Sequence, residues 1–164
     1  MLSPQTHFSE DVMKDVLSVL IMWLHISATV VWIGGILFIL AVALPSSKVV
    51  LGAEAGKMMG EISKRFTPLA NYSILLLVVT GVILAGSTEN LSITLMSWSV
   101  LKYILAISMI IIHFYRGLIL TPKISKTTDG NKKLSFQKLS LNLVRVNLTL
   151  GIFVVFFSVL NASI

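Results

Sequence analysis

The sequence predicts an all-α integral membrane protein: a four-transmembrane-helix bundle with a short amphipathic interfacial helix in its first cytoplasmic loop. Three observations predict it. Four apolar runs punctuate the chain. Only 12% of its 164 residues are charged, about half the roughly 25% typical of soluble domains. The basic residues between the runs sit in two of the three connections. A mean hydropathy of +0.92 agrees. The length allows one domain, and the composition excludes a disordered tail and argues against a soluble enzyme. There are no cysteines, which excludes disulfides, zinc ribbons, thiolate copper sites and Cys-linked haem.

Residues 1–15 are expected as an extracytoplasmic N-terminal tail. Glu10, Asp11 and Asp15 outweigh Lys14 there, the wrong sign for the start of a signal peptide. Residues 16–160 form the single membrane domain. Its first span, about 16–44, is closed by Pro45-Ser46-Ser47-Lys48. It exceeds the roughly 17–25 residues a span needs, so it must tilt or protrude. In the loop that follows, Leu51, Ala55, Met58, Met59, Ile62 and Phe66 recur at helical spacing, with Lys57, Glu61 and Lys64 on other faces. That pattern predicts the interfacial helix. The second span, 69–85, opens at Pro68 and ends at Gly86-Ser87. The third, 98–120, is closed by Thr121-Pro122-Lys123, and a turn is expected at Thr127-Thr128-Asp129-Gly130-Asn131. The fourth is 143–160, leaving 161–164 as an extracytoplasmic C-terminus. Lipid admits no open sheet, so all four runs are helices.

Lys48, Lys57, Lys64 and Arg65 lie in the first loop. Lys123, Lys126, Lys132, Lys133 and Lys138 lie in the third, and residues 86–97 have no Lys or Arg. The positive-inside rule places both basic loops in the cytoplasm and both termini outside a plasma membrane. The net charge of +6 therefore flanks lipid. It carries no aromatic interleaving and implies the bilayer, not nucleic acid, as partner.

Ionisable groups inside spans are costly and are functional candidates. Here they are His25, then Lys102, His113 and Arg116, then Arg145 with Asn147. Lys102, Ala106, Met109, His113 and Arg116 fall within about 40° of one line at 100° per residue. Lipid cannot be what that stripe faces. Met22, His25, Ala28, Thr29 and Trp32 form a matching stripe on the first helix. Either histidine could instead be a hydrogen-bonded packing residue, with His25 the better candidate for a ligand or proton carrier. By helix rise, His25 and Lys102 lie roughly 7 and 11 Å outward of their span midpoints, and His113 about 5 Å inward. One iron held by both histidines is therefore not expected.

Met22 and Met109 sit one turn from His25 and His113, and thioether with imidazole suits Cu(I). Methionine is also ordinary helix filler. Asn71, Ser73, Thr80 and Gly81 on the second helix read as packing and interhelical hydrogen bonding. The four spans hold no carboxylate, against an acid-dependent pump or carboxylate hydrolysis. No Ser–His–Asp set, P-loop or GxGxxG is present.

Leu24-His25 with Trp32-x-Gly34-Gly35, Arg65-Phe66, Thr80-Gly81, Lys102 and Arg145-x-Asn147-x-x-x-Gly151 together resemble the membrane domain of the copper-resistance D (CopD) family across all four spans. That family is related to HemJ-type protoporphyrinogen oxidases, which the Lys102…His113 spacing also resembles. Phe38-Ile39-Leu40 and the absence of an acid and proline after Asn147 depart from the HemJ pattern, and Gly34-Gly35 is the CopD form. The CopD resemblance implies copper handling or transport across the membrane. The copper ligands to expect would be His25, Met22, His113 and Met109. The HemJ resemblance implies haem b on His25, with Lys102 and Arg145 holding propionates or porphyrin, and that reading alone would make the protein an enzyme. With little mass outside the membrane, the third expectation is a small accessory subunit of a larger membrane complex. A homo-oligomer is a further possibility for its partners.

Overall fold

The computed structural model describes the backbone of residues 4–86 and 97–163, and the side chains of 12–86 and 98–160. The expected loop 86–97 and the extreme termini lie largely outside the described residues. Every described element is helical. The order is α1 (Pro4–Thr29), a π-helical stretch (Val30–Gly34), α2 (Gly35–Phe38), a second π-stretch (Ile39–Ala43) and α3 (Leu44–Leu51). A 3-10 turn (Gly52–Glu54) leads into α4 (Ala55–Gly86). Then come α5 (Ser97–Phe114), a third π-stretch (Tyr115–Leu120), α6 (Thr121–Lys126) and α7 (Gly130–Ser163).

Three helical stretches are long and apolar enough to cross a membrane: Val12–Gly86, Trp98–Lys126 and Gly130–Leu160. The first covers 75 residues and doubles back on itself, so that α1 packs along α4. The reversal is at Gly52, with φ of +50° the one positive φ among the described residues. A side chain there would be strained, and glycine is the usual way to end a helix in that region.

Pro45 and Pro122 do not end their helices. Each sits in the first turn of a new α-segment, directly after a π-stretch. A proline ring clashes with the carbonyl four residues back and offers no N–H. Widening the preceding turn to i→i+5 bonding absorbs that clash without breaking the rod. Nor does a separate interfacial helix precede the second apolar run. Residues 55–86 form one helix of 32 residues with Pro68 inside it. At 1.5 Å per residue it spans about 48 Å, against roughly 30 Å of hydrocarbon, so one end must overhang. The expected turn before α7 shrinks to residues 127–129. Asp129 Oδ1 accepts from the Asn131 and Lys132 amides at 2.9 and 3.3 Å, an N-cap for α7. At the other extreme the expected tail is already helical from Pro4.

Trp32, Ile36, Ala70, Ile74 and Met109 form the core, and Val144, Leu148, Leu150 and Val154 of α7 pack against it. The outward faces stay apolar: Val30, Ile111 and Ile152 are each more than half exposed. Lipid, not water, suits such a surface. Ile36, Phe66, Arg116 and Leu143 meet around one cavity. The bend at Gly52 and the turn at 127–129 therefore leave the bundle at the same end. Both carry the lysines, and we call it the basic end.

Candidate functional site

The polar stripe on α5 faces the bundle. Met109 and His113 are 2% and 5% exposed, and Lys102, Ala106 and Arg116 are half-buried. The intervening Ile104, Ile107 and Ile111 are exposed. The stripe on α1 is truncated. Ala28 and Trp32 are buried and His25 half-buried, but Met22 is 48% exposed. The residues before it, Val16, Leu17, Val19 and Leu20, are exposed as well, so this end of α1 lies outside the packed bundle.

His25 is fixed by α4. Its Nδ1 lies 2.8 Å from Thr80 Oγ1. Thr80 has one hydroxyl proton, and Oγ1 approaches the Leu76 carbonyl at 2.6 Å. With that proton given to Leu76, Oγ1 accepts from His25 Nδ1–H, and the neutral ring keeps its lone pair on Nε2. A partner that holds one ring nitrogen as donor is the usual way to present the other for coordination. Gly81 follows Thr80, and a Cβ there would stand 3.5 Å from His25 Cε1, so the glycine lets the ring lie close to the α4 backbone. Lys102 is within electrostatic range of His25, and its Nζ lies 5.1 Å from the Tyr103 ring centroid.

His113 is fixed from the other direction. Its Nε2–H donates to Asn71 Oδ1 at 2.8 Å, and Trp32 meets the ring edge-on at 6.0 Å and 90°. Thr80 and Asn71 are nine positions apart on α4, which separates the two imidazoles by about 13 Å along the bundle. They cannot share one metal. Met109, one turn from His113, is enclosed in the core against Gly151, where a Cβ would lie 3.1 Å from its Cε. No group of three or more His, Asp or Glu able to hold a metal occurs among the described residues.

Arg145 is exposed, and its Nη1 donates to Asn142 Oδ1 at 3.3 Å on its own helix. Its neighbours Val144 and Asn147 line a cavity with His113 and Arg116. That level is about 17–21 Å along the third stretch from Lys102, so Lys102 and Arg145 do not converge on one group. Chain direction is the reason: α7 runs antiparallel to α5, which brings its early residues to the late residues of that stretch.

The same cavity has ≈10 Å³ of room for the centre of a water-sized sphere. Asn147 Oδ1 and Trp32 Nε1 are buried with no protein hydrogen-bond partner. A second cavity of ≈170 Å³ lies at the bend between Ser46, Ser47, Val50, Leu51 and Met58 and presents no titratable group. The sequence reading of Asn71 and Thr80 as interhelical hydrogen-bonding residues holds, but it did not say that each meets a histidine. The signal available was polarity in an otherwise apolar run.

The model of a family described as a domain of unknown function (DUF4149) matches residues 27–133, well over half of the chain. The match includes Asn71, Thr80, Lys102, His113 and Arg116, and it begins just after His25 and ends before Asn147. No curated protein and no solved structure matches.

Proposed function

This chain belongs to the DUF4149 family, and we propose that it is a CopD-like, four-span protein of the cytoplasmic membrane that handles copper through His25. The observation that carries this reading is the His25–Thr80–Leu76 chain of hydrogen bonds, which leaves Nε2 with its lone pair on a half-buried ring. Imidazole is a good copper ligand. A single protein ligand makes a weak site, and the Lys102 ammonium nearby opposes a second positive charge. Both features suit passing the metal on better than storing it.

The doubling back of the first stretch, added to the other two, supports four crossings. Basic segments belong on the cytoplasmic side, which puts both bends there and both termini outside. The overhanging start of α4, with Met58, Met59 and Ile62 between Lys57 and Lys64, carries the rod through the inner interface in place of a separate interfacial helix.

Haem b fits less well. His25 has the right partner for a proximal ligand, and Lys102 suits a propionate. But Arg145, the other cation expected to hold a propionate, is exposed and stands at the far end of the bundle.

The test is copper loading of the detergent-purified protein under reducing conditions, with an oxidised and a dithionite-reduced absorption spectrum on the same sample. The expected result is a colourless protein that takes up copper reversibly, approaching one per chain only as Cu(I) is raised, an uptake that His25→Ala loses. A Soret band that shifts on reduction would replace the copper reading with the haem one. A colourless, metal-free protein would sink both in favour of an accessory subunit.

A further inference from the structure

We propose that the cavity between His113, Arg116 and Asn147 is a water-binding site. It would be a hydrated pocket on the basic-end side of the bundle, closed off from His25 by the dry core around Met109.

Three observations carry this. Asn147 is 3% exposed, lines the cavity, and its Oδ1 meets no protein donor. Arg116 lines the same cavity, and the apolar runs hold no carboxylate to accept from its guanidinium. The space of ≈10 Å³ sits at the lower bound of about 10–15 Å³ needed for one water, and such waters are found where two to four polar partners converge.

The ligand must accept from Arg116 and donate to Asn147 Oδ1. A cation is repelled by the guanidinium. An anion satisfies Arg116 but sets a second acceptor against Oδ1. Water does both, and its second proton is free for a lone pair on His113, whose Nε2–H is already committed to Asn71.

The hydration stops one turn away. Met109, Ile74 and Ala70 are 2%, 3% and 0% exposed and offer no strong hydrogen-bonding side chain; the unsatisfied polar atom of that core is the Trp32 Nε1–H, a single donor where a bound water needs two to four polar partners. The bundle is thus divided by depth. His25 stands on one side of an apolar plug and a hydrated histidine on the other.

Millisecond hydroxyl-radical labelling in ¹⁸O water, read by mass spectrometry on the full-length protein in lipid nanodiscs, tests this. Radicals formed from a trapped water oxidise its neighbours even when they are buried. His113 should take up ¹⁸O, while Met109, the more oxidisable side chain but in the dry core, should not. Asn147→Leu should abolish the His113 label and leave that of the exposed Met22 unchanged. Ile112→Phe, which fills the cavity from an apolar wall, should do the same, so the test survives if one variant does not fold. No label on His113, equal labels on His113 and Met109, or a His113 label that persists in both variants would each overturn the proposal.

Discussion

His25 and His113 are the same residue type, each tied by one 2.8 Å hydrogen bond to α4, yet they sit in opposite situations. Thr80 takes the Nδ1–H of His25 and leaves Nε2 open on a half-buried ring. Asn71 takes the Nε2–H of His113, and Trp32 covers a ring that is only 5% exposed. The difference teaches that the partner on the neighbouring helix, more than the histidine itself, decides which nitrogen can do chemistry and whether it can be reached.

The strongest way to break that comparison is to exchange the two losses. His25→Ala should remove copper from the purified protein, and His113→Ala should leave the stoichiometry unchanged. Metal analysis of both variants decides it, and equal losses would show that the two levels are not independent. The next largest effect separates the two methionines once grouped with the histidines. Met109→Ala should cost about 2–5 kcal/mol as a core truncation. Met22→Ala, on an exposed face, should stay within about 0.5 kcal/mol. Unfolding in detergent monitored by circular dichroism measures both. A smaller effect tests the hydrogen bond that orients His25, the proposed ligand. Thr80→Val should weaken copper binding about 10–100-fold, as loss of an outer-shell partner does. Asn71→Val should leave copper affinity alone. A competition titration with a chromophoric Cu(I) chelator reads both.

Periodicity alone turned the α5 stripe away from lipid, because the phase of a polar residue is written in a single helix; that it faces the bundle is what the structure adds. Apolar runs marked the long apolar helices, three stretches of which could cross a membrane, and turn residues marked the break before α7. What periodicity could not give depends on a second helix. The Met22 phase put it on the His25 face, but phase does not say how far the neighbouring packing extends, and Met22 is exposed. Thr80 and Asn71 read as interhelical hydrogen-bonding residues, but which group each meets depends on how α4 is rotated against α1 and α5. Lys102 and Arg145 were joined only through a family resemblance. The antiparallel course of α7 puts them at different depths. Pro45 and Pro122 looked like helix ends because local rules expect a break, and the π-stretches before them absorb the ring at the level of the whole rod.

The smallest predicted effect links the two regions through Gly35. A Cβ there would run into the Phe66 ring, whereas one at Gly34 would meet nothing within 4 Å. Phe66 is the far end of a side chain and can turn aside, so Gly35→Ala should cost about 1 kcal/mol, the low end of overpacking. Phe66 also lines the cavity beside His113. A ring pushed in that direction takes up the space for a water without altering any polar group. Gly35→Ala should therefore lower the radical labelling of His113 and leave copper binding at His25 unchanged, while Gly34→Ala should do neither. If Gly35→Ala weakened copper binding as much as it lowered the His113 label, the core around Met109 would be transmitting strain between the two levels rather than insulating them.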